Sequence, residues 1–380
     1  MTAPHLTRRS LVLSILVVCL AAGLPSSARA DKRLLYVTEP GVRDYVEFGG
    51  HGVLVFDIDD GHKFVRRIPA RGVDEKGKPL NVKGVCASAA TGRLYVSTLK
   101  TLTCFDLLTD KVLWEKPYAG GCDRMSITPD GKVIYLPSLE GPHWHVVNAE
   151  NGDVIEKIVL NSGAHNTVVG LDGRFAYLAG LKSPVLRVAD ARKHKVVKDV
   201  GPFGNVVRPF TVNGSQTRCY VNVNELLGFE IGDLQSGKVL ARVEVPNFKK
   251  GEVKRHGCPS HGVGLTPDEK EVWVCDASNE RVHVFDNTVM PPRLVTSLKL
   301  REEPGWVTFT LDGQYAYPST GEVIDVKTKK ILTALADEQG RQVMSEKMLE
   351  IVLGDDGKPV RNGDQFGLGR ITAAASASSR

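Results

Sequence analysis

Two histidines, an arginine and an aspartate stand at matched places in a repeating pattern, and they are the residues of this chain best placed to do chemistry together. His165 and His261 each lie seven residues before the first residue of a turn, Asp172 and Asp268. The same count back from Asp130 reaches Asp123, and local alignment puts Arg208 in the corresponding place of the repeat between the histidines. Imidazoles suit divalent transition metals and Asp123 adds a carboxylate oxygen, so His165 and His261 are a candidate metal pair. The same set suits an acidic sugar or another carboxylate, with Arg208 as a forked donor. Gly84 and Gly305 hold the matching places in two further repeats. With no side chain there, the ring is expected to leave open space beside the polar set. Two long connections add His51 and His256, candidates for a further ligand or for an acid and base pair.

These residues converge only if the repeat carries them to one place. The stretch SGAHNTVVGLDGRFAYLAG, residues 162–180, reads as an apolar strand, an Asp-Gly turn and a second strand. Versions of it begin at Lys83, Gly121, Val206, Pro259 and Glu303. The second turn residue falls at Gly92, Gly131, Gly173, Gly214, Glu269 and Gly313, in steps of 39, 42, 41, 55 and 44. Each unit runs on into a third and a fourth strand, as in HWHVVNAENGDVIEKIVL. A period near 40 made of four short strands predicts an all-β propeller of antiparallel blades. Seven blades are expected, near residues 33–70, 82–118, 120–160, 162–201, 205–245, 256–300 and 302–336. The first opens directly at RLLYVTEPG and lacks an inner strand, so the ring must be closed by joining the two termini. KMLEIVLGDDG and PVRNGDQFGLG, within residues 340–370, are the candidates to supply that strand, because an open edge invites aggregation. Residues 371–380 read as a disordered tail.

The segments LLYVTEP, RLYVSTL, VIYLPSL, FAYLAGL and VWVCDAS resemble the YVTN repeat of seven-bladed propellers, including the periplasmic YncE-like proteins. The resemblance covers nearly the whole chain after residue 30 and falls nearest an uncharacterised bacterial branch. It implies a fold. It does not imply one function, because such propellers include binding proteins, lyases, lactonases and oxidoreductase subunits.

Composition narrows the alternatives. Arg8 and Arg9 precede an apolar run from Leu11 to Leu24, and Ala28-Arg29-Ala30 follows as a cleavage pattern. Residues 1–30 therefore read as a signal peptide, by the twin-arginine or the general secretory route, and the protein as periplasmic or secreted. No membrane span is expected after cleavage. The formal charge is +5, and loss of Arg8, Arg9 and Arg29 leaves +2, too little for a nucleic-acid partner. Six cysteines remain in the mature chain without a CxxC spacing, so pairing is left open. No P-loop, GxSxG elbow, Rossmann glycine pattern or CxxCH stands in a fitting context. Three kinds of function fit: an exported propeller binding a small ligand or protein partner at one mouth of its channel, a metal-assisted lyase or hydrolase of a carbohydrate or lactone, and an oxidoreductase subunit. The sequence leaves catalysis undecided.

Overall fold

The computed structural model describes residues 1–2, 31–70 and 72–372. Seven antiparallel sheets follow one another around a central channel, six of four strands and one of five. The inner strands are Val82–Ser88, Ser126–Ile127, Ala164–Val169, Val207–Val212, Val263–Leu265 and Val307–Phe309 in blades two to seven, and Met348–Leu353 in blade one. Second and third strands such as Phe175–Gly180 and His143–Asn148 are buried on both faces because each blade packs between two others. Outer strands such as Val154–Val159 are largely exposed.

Closure joins the termini. Met348–Leu353 lies antiparallel to Lys32–Glu39, with Tyr36 opposite Leu349 and Leu34 opposite Ile351. Of the two candidate segments, KMLEIVL is thus the strand that completes blade one. The second has a different place: Pro359–Asn362 pairs on the channel side of Met348–Leu353 as a fifth strand. The chain then crosses the channel at the end where the inner-strand turns lie. Gly367 accepts hydrogen bonds from Leu265 N and Thr211 Oγ1, and Gly369 N and Arg370 N donate to Val212 and Pro267. Phe366 and Leu368 are buried among Trp306, Phe210 and Val168. Ile371 N donates to Glu269, so the chain is still anchored at the start of the expected tail. The rest of that tail, 373–380, and residues 3–30 of the expected signal peptide lie outside the described residues.

The turns correct one detail of the repeat count. Gly92, Gly131, Gly173, Glu269 and Gly313 all adopt the left-handed conformation, φ between 60° and 71°. In blade five the left-handed residue is Gln216, φ 55°, rather than Gly214. Counted from Ser215, the residue before it, seven places back is Arg208. The matched position that alignment assigns to Arg208 is the structural one.

Candidate functional site

Three inner strands break register where they reach the mouth of the channel. The pairing shifts between Val82 and Gly84, between Ala164 and Asn166, and between Val207 and Phe210. The residues set out of the ladder are Lys83, His165, and Arg208 with Pro209. A bulge of this kind re-aims a side chain at the end of a strand, and Lys83, His165 and Arg208 all line one cavity of about 100 Å³. His256, His261, Arg124, Arg255 and Arg43 line it too, with Glu346 and Lys347 from the segment leading into the closing strand. Six cationic side chains face this volume against two carboxylates, Glu140 and Glu346.

One wall is a buried relay. His165 Nδ1 lies 2.6 Å from Asp123 Oδ2, and its Nε2 lies 3.2 Å from Arg124 Nη1. A guanidinium can only donate, so Nε2 carries the lone pair and Nδ1–H donates to Asp123. Burial opposes charge on both partners. His165, Lys83 and Arg124 nevertheless hold the Asp123 carboxyl down at about 2, and burial lowers the His165 imidazole below its ordinary value. We place the negative charge on Asp123 and keep the imidazole neutral, because Lys83 (3.5 Å) and Arg124 stabilise the carboxylate without a charged histidine. Arg124 also donates to Glu346 Oε2 and lies 4.8 Å above the Trp306 ring.

The opposite wall holds His256 and His261, their rings stacked 4.7 Å apart and 19° from parallel. His261 Nδ1–H donates to the Gly305 carbonyl, and His256 Nδ1 lies 3.2 Å from Glu346 Oε1. Burial keeps both imidazoles below their ordinary values, and each histidine is further influenced by its charged neighbours. Burial likewise disfavours charge on Glu346, but Lys347, Arg124 and His256 hold its carboxyl well below the usual range. Lys347 Nζ donates to Glu346 Oε2 and to the Gly41 carbonyl, and burial brings its ammonium down to about 7. One ligand atom each from His256, His261 and Glu346 lies within 4.8 Å of the others, close enough for a metal group. Two nearly parallel stacked rings, however, share no point that lies in both ring planes at bonding distance. A cation there would also sit beside Arg124 and Lys347.

The expected residues therefore gather unevenly. His165, Arg208, His261 and His256 line the same cavity, and Asp123 stands directly behind His165. His51 does not line it; its backbone carbonyl accepts from Arg67. His165 is separate from the three-residue group, its nitrogens being occupied by Asp123 and Arg124. The open space expected at Gly84 and Gly305 is filled. A Cβ on Gly305 would fall on the His256 ring and 2.6 Å from Glu346 Oε1, and one on Gly84 would lie 3.0 Å from the Arg124 backbone. These glycines admit neighbours rather than ligand. Residue-by-residue matching passes over Arg124, Lys83, Glu346 and Lys347. The first two adjoin matched positions, and the last two precede the apolar run of the closing strand, which is the one signal the sequence holds for them. The six cysteines among the described residues are buried and free.

Several polar atoms of this mouth have no hydrogen-bond partner among the described residues. They include Arg124 Nε, Arg255 Nη1 and His256 Nε2, all buried. Unpaired buried donors are costly, and all three atoms belong to residues that line the cavity.

No protein-family model matches the chain, and no curated protein matches it. Among solved structures it is similar over 90% of its length to a dihydro-heme d1 dehydrogenase, NirN, in complex with DHE, at 16% identity and a TM-score of 0.60, covering 76% of that chain. It also aligns with the hydrazine synthase of Kuenenia stuttgartiensis at 14% identity and a TM-score of 0.45, over 68% of this chain and 96% of the other. The NirN likeness is one of fold, at an identity too low to carry a site across. The chain is a seven-bladed β-propeller. Among the described residues no helix is long and apolar enough to cross a membrane.

Proposed function

We propose that this chain is an exported propeller of the YVTN-like kind that binds a small anionic group, a carboxylate or an anion of similar size, at the mouth of its channel. The observation that carries the reading is the excess of cationic side chains around a small cavity, together with unpaired buried donors on Arg124 and Arg255. Arg208 is held for this role: its Nε donates to Asn224 Oδ1 at 2.5 Å and its Nη2 lies 3.3 Å from the Gly257 carbonyl. That leaves the remaining guanidinium hydrogens for a guest. The cavity is far below the 300–1,000 Å³ of ordinary ligand pockets, so it suits one charged group rather than a whole sugar or macrocycle. Calorimetric titration with acetate, phosphate and sulfate tests the reading. Binding is expected to weaken at least tenfold in Arg208→Ala, with unchanged thermal unfolding and no effect of chelator. Equal affinity in the variant would overturn it.

A metal-assisted lyase or hydrolase is the second reading, and the three-residue group of His256, His261 and Glu346 favours it. It requires one of the stacked rings to rotate. Stoichiometric metal in protein purified from its native compartment, lost in His261→Ala, would put this reading ahead of the first.

A further inference from the structure

The small mouth cavity does not end at solvent. It shares Arg43, Asn81, Lys83 and Glu140 with a larger open groove of about 590 Å³. The groove runs over the connection from blade one to blade two and the loops that follow the second strands of blades two and three. Its floor is different in kind from the mouth. Pro79, Leu80, Leu99 and Leu139 line it and are all half-buried. Gly121, at φ +76°, lets two of them meet: a Cβ there would lie 2.5 Å from the Leu99 carbonyl oxygen and 3.1 Å from Leu139 Cβ. At the rim, Lys78 and Asp44 pair at 2.6 Å, and Asp74 accepts from the backbone nitrogens of Lys76 and Lys78.

A cationic cavity with room for one anionic group, continuous with a groove of ordinary ligand size in which a charged rim surrounds an apolar strip of Pro79, Leu80, Leu99 and Leu139, recognises a molecule of two parts. We propose that the ligand is a carboxylate with an apolar body, its head held among Arg124, Arg208 and Lys83 and its body laid along Leu80, Leu99 and Leu139. The inference rests on the anion-binding reading above and adds the class of ligand. Charge complementarity fixes the head end, because Lys83 and Arg43, against the one carboxylate of Glu140, stand at the junction and belong to both volumes. The half-buried leucines fix the character of the body.

The experiment is a chain-length series on the full chain: acetate, butyrate, hexanoate and octanoate, measured by calorimetric titration. Each methylene that leaves water strengthens binding by up to about fourfold, so the dissociation constant of the wild type is expected to fall by roughly two- to fourfold per methylene until the groove is filled. In Leu139→Asn the dependence on length is expected to vanish, while acetate binds as in the wild type. Leu99→Ser serves as a milder second variant, and unchanged acetate affinity certifies in each that the mouth is intact. If acetate binds and lengthening it gains nothing, the amphipathic ligand is wrong and the anion site stands. A length dependence that survives in both variants also overturns it, because the body would then lie elsewhere. If none of the series binds, acetate included, both readings fall.

Discussion

At the turn end of the channel, residues 363–371 lie across the inner strands and bury Phe366 and Leu368. At the other end Lys83, His165 and Arg208 near the starts of three of these strands, and Asp123 and His261 just before two others, surround a charged cavity. The scaffold is equivalent at both ends, since each blade contributes one strand running from mouth to turn. The difference lies in what the backbone is offered. At the turn end the C-terminal segment satisfies free backbone groups of blades five and six directly, through Gly367, Gly369 and Arg370. Side-chain contacts extend this to others, with the Gln365 Oε1 accepting from Val85 N at 3.2 Å. At the mouth, bulges turn the first residues of three strands out of the ladder, and their side chains meet each other instead. A propeller can therefore cover much of one end of its axis with sequence outside the repeat, leaving beside it a cavity of about 250 Å³ lined in part by Val85, Val169 and Phe366, and gather its charged side chains at the other.

If the C-terminal segment does both closing and sealing, removing it has the largest effect of any change. A chain ended after Ala336 loses Met348–Leu353 and leaves the edge Lys32–Glu39 unpaired. Soluble protein with a cooperative thermal transition is expected to disappear, and a truncated protein that unfolds as the intact one does would refute closure by this strand. A finer cut separates the two ends. Phe366→Ala empties a buried site in the plug and is expected to cost about 3–5 kcal/mol in denaturant unfolding. Trp306 packs on Phe366 and lies under the Arg124 guanidinium, so the anion affinity of the mouth is expected to change only by what a small shift of that ring passes on. A parallel loss of affinity would show that the ends are coupled.

Much of this contrast is legible in the repeat and some of it is not. Strand pattern and turn spacing carry the ring, the seven blades and the need for a strand from the C-terminus, because strand-forming residue types and left-handed turns are local properties. The matched position carries His165, His261 and Asp123 for the same reason. Arg208 needs alignment, since Gln216 rather than a glycine takes the left-handed place in its turn. Glu346 and Lys347 are out of reach. They stand in the one blade assembled from both termini, where counting from a turn gives no matched residue. His256 comes from an insertion, and its burial beside Gly305 depends on tertiary packing. Gly305 misleads for that reason: in the sequence an absent side chain reads as space, and in the fold a neighbour occupies it.

That reversal gives a test confined to the mouth. In Gly305→Ala the new methyl collides with the His256 ring and meets Glu346 Oε1. Overpacking of this kind costs about 1–3 kcal/mol, so a modest fall in unfolding free energy is expected together with weaker anion binding. A variant as stable and as avid as the wild type would mean that His256 does not stand against Gly305.

The smallest expected effect is the most specific to the charged end. Burial lowers the Lys347 ammonium to about 7, against the opposing pull of Glu346 and with Arg124 and Lys83 adding to the depression. The unfolded chain keeps an ordinary lysine, which titrates near 10.4. Between these values the unfolded state binds more protons than the folded one, so this group makes stability rise with pH from about 7 to about 10. A bound anion reverses the local preference. It favours the charged ammonium, so above pH 7 binding must take up a proton, and affinity is expected to fall with increasing pH by at most about tenfold per unit. Calorimetry with acetate from pH 6 to 9 reads the slope, and repeating it in buffers of different ionisation enthalpy reads the proton. In Lys347→Met both the affinity slope and the rise in stability should flatten, while Arg124 and His256 still hold Glu346. The turn end carries no such group in its seal of Phe366 and Leu368, so Phe366→Ala should leave the pH profile of binding as it was. A wild-type affinity that is flat across this range would remove Lys347 from the site and leave the arginines to account for its charge.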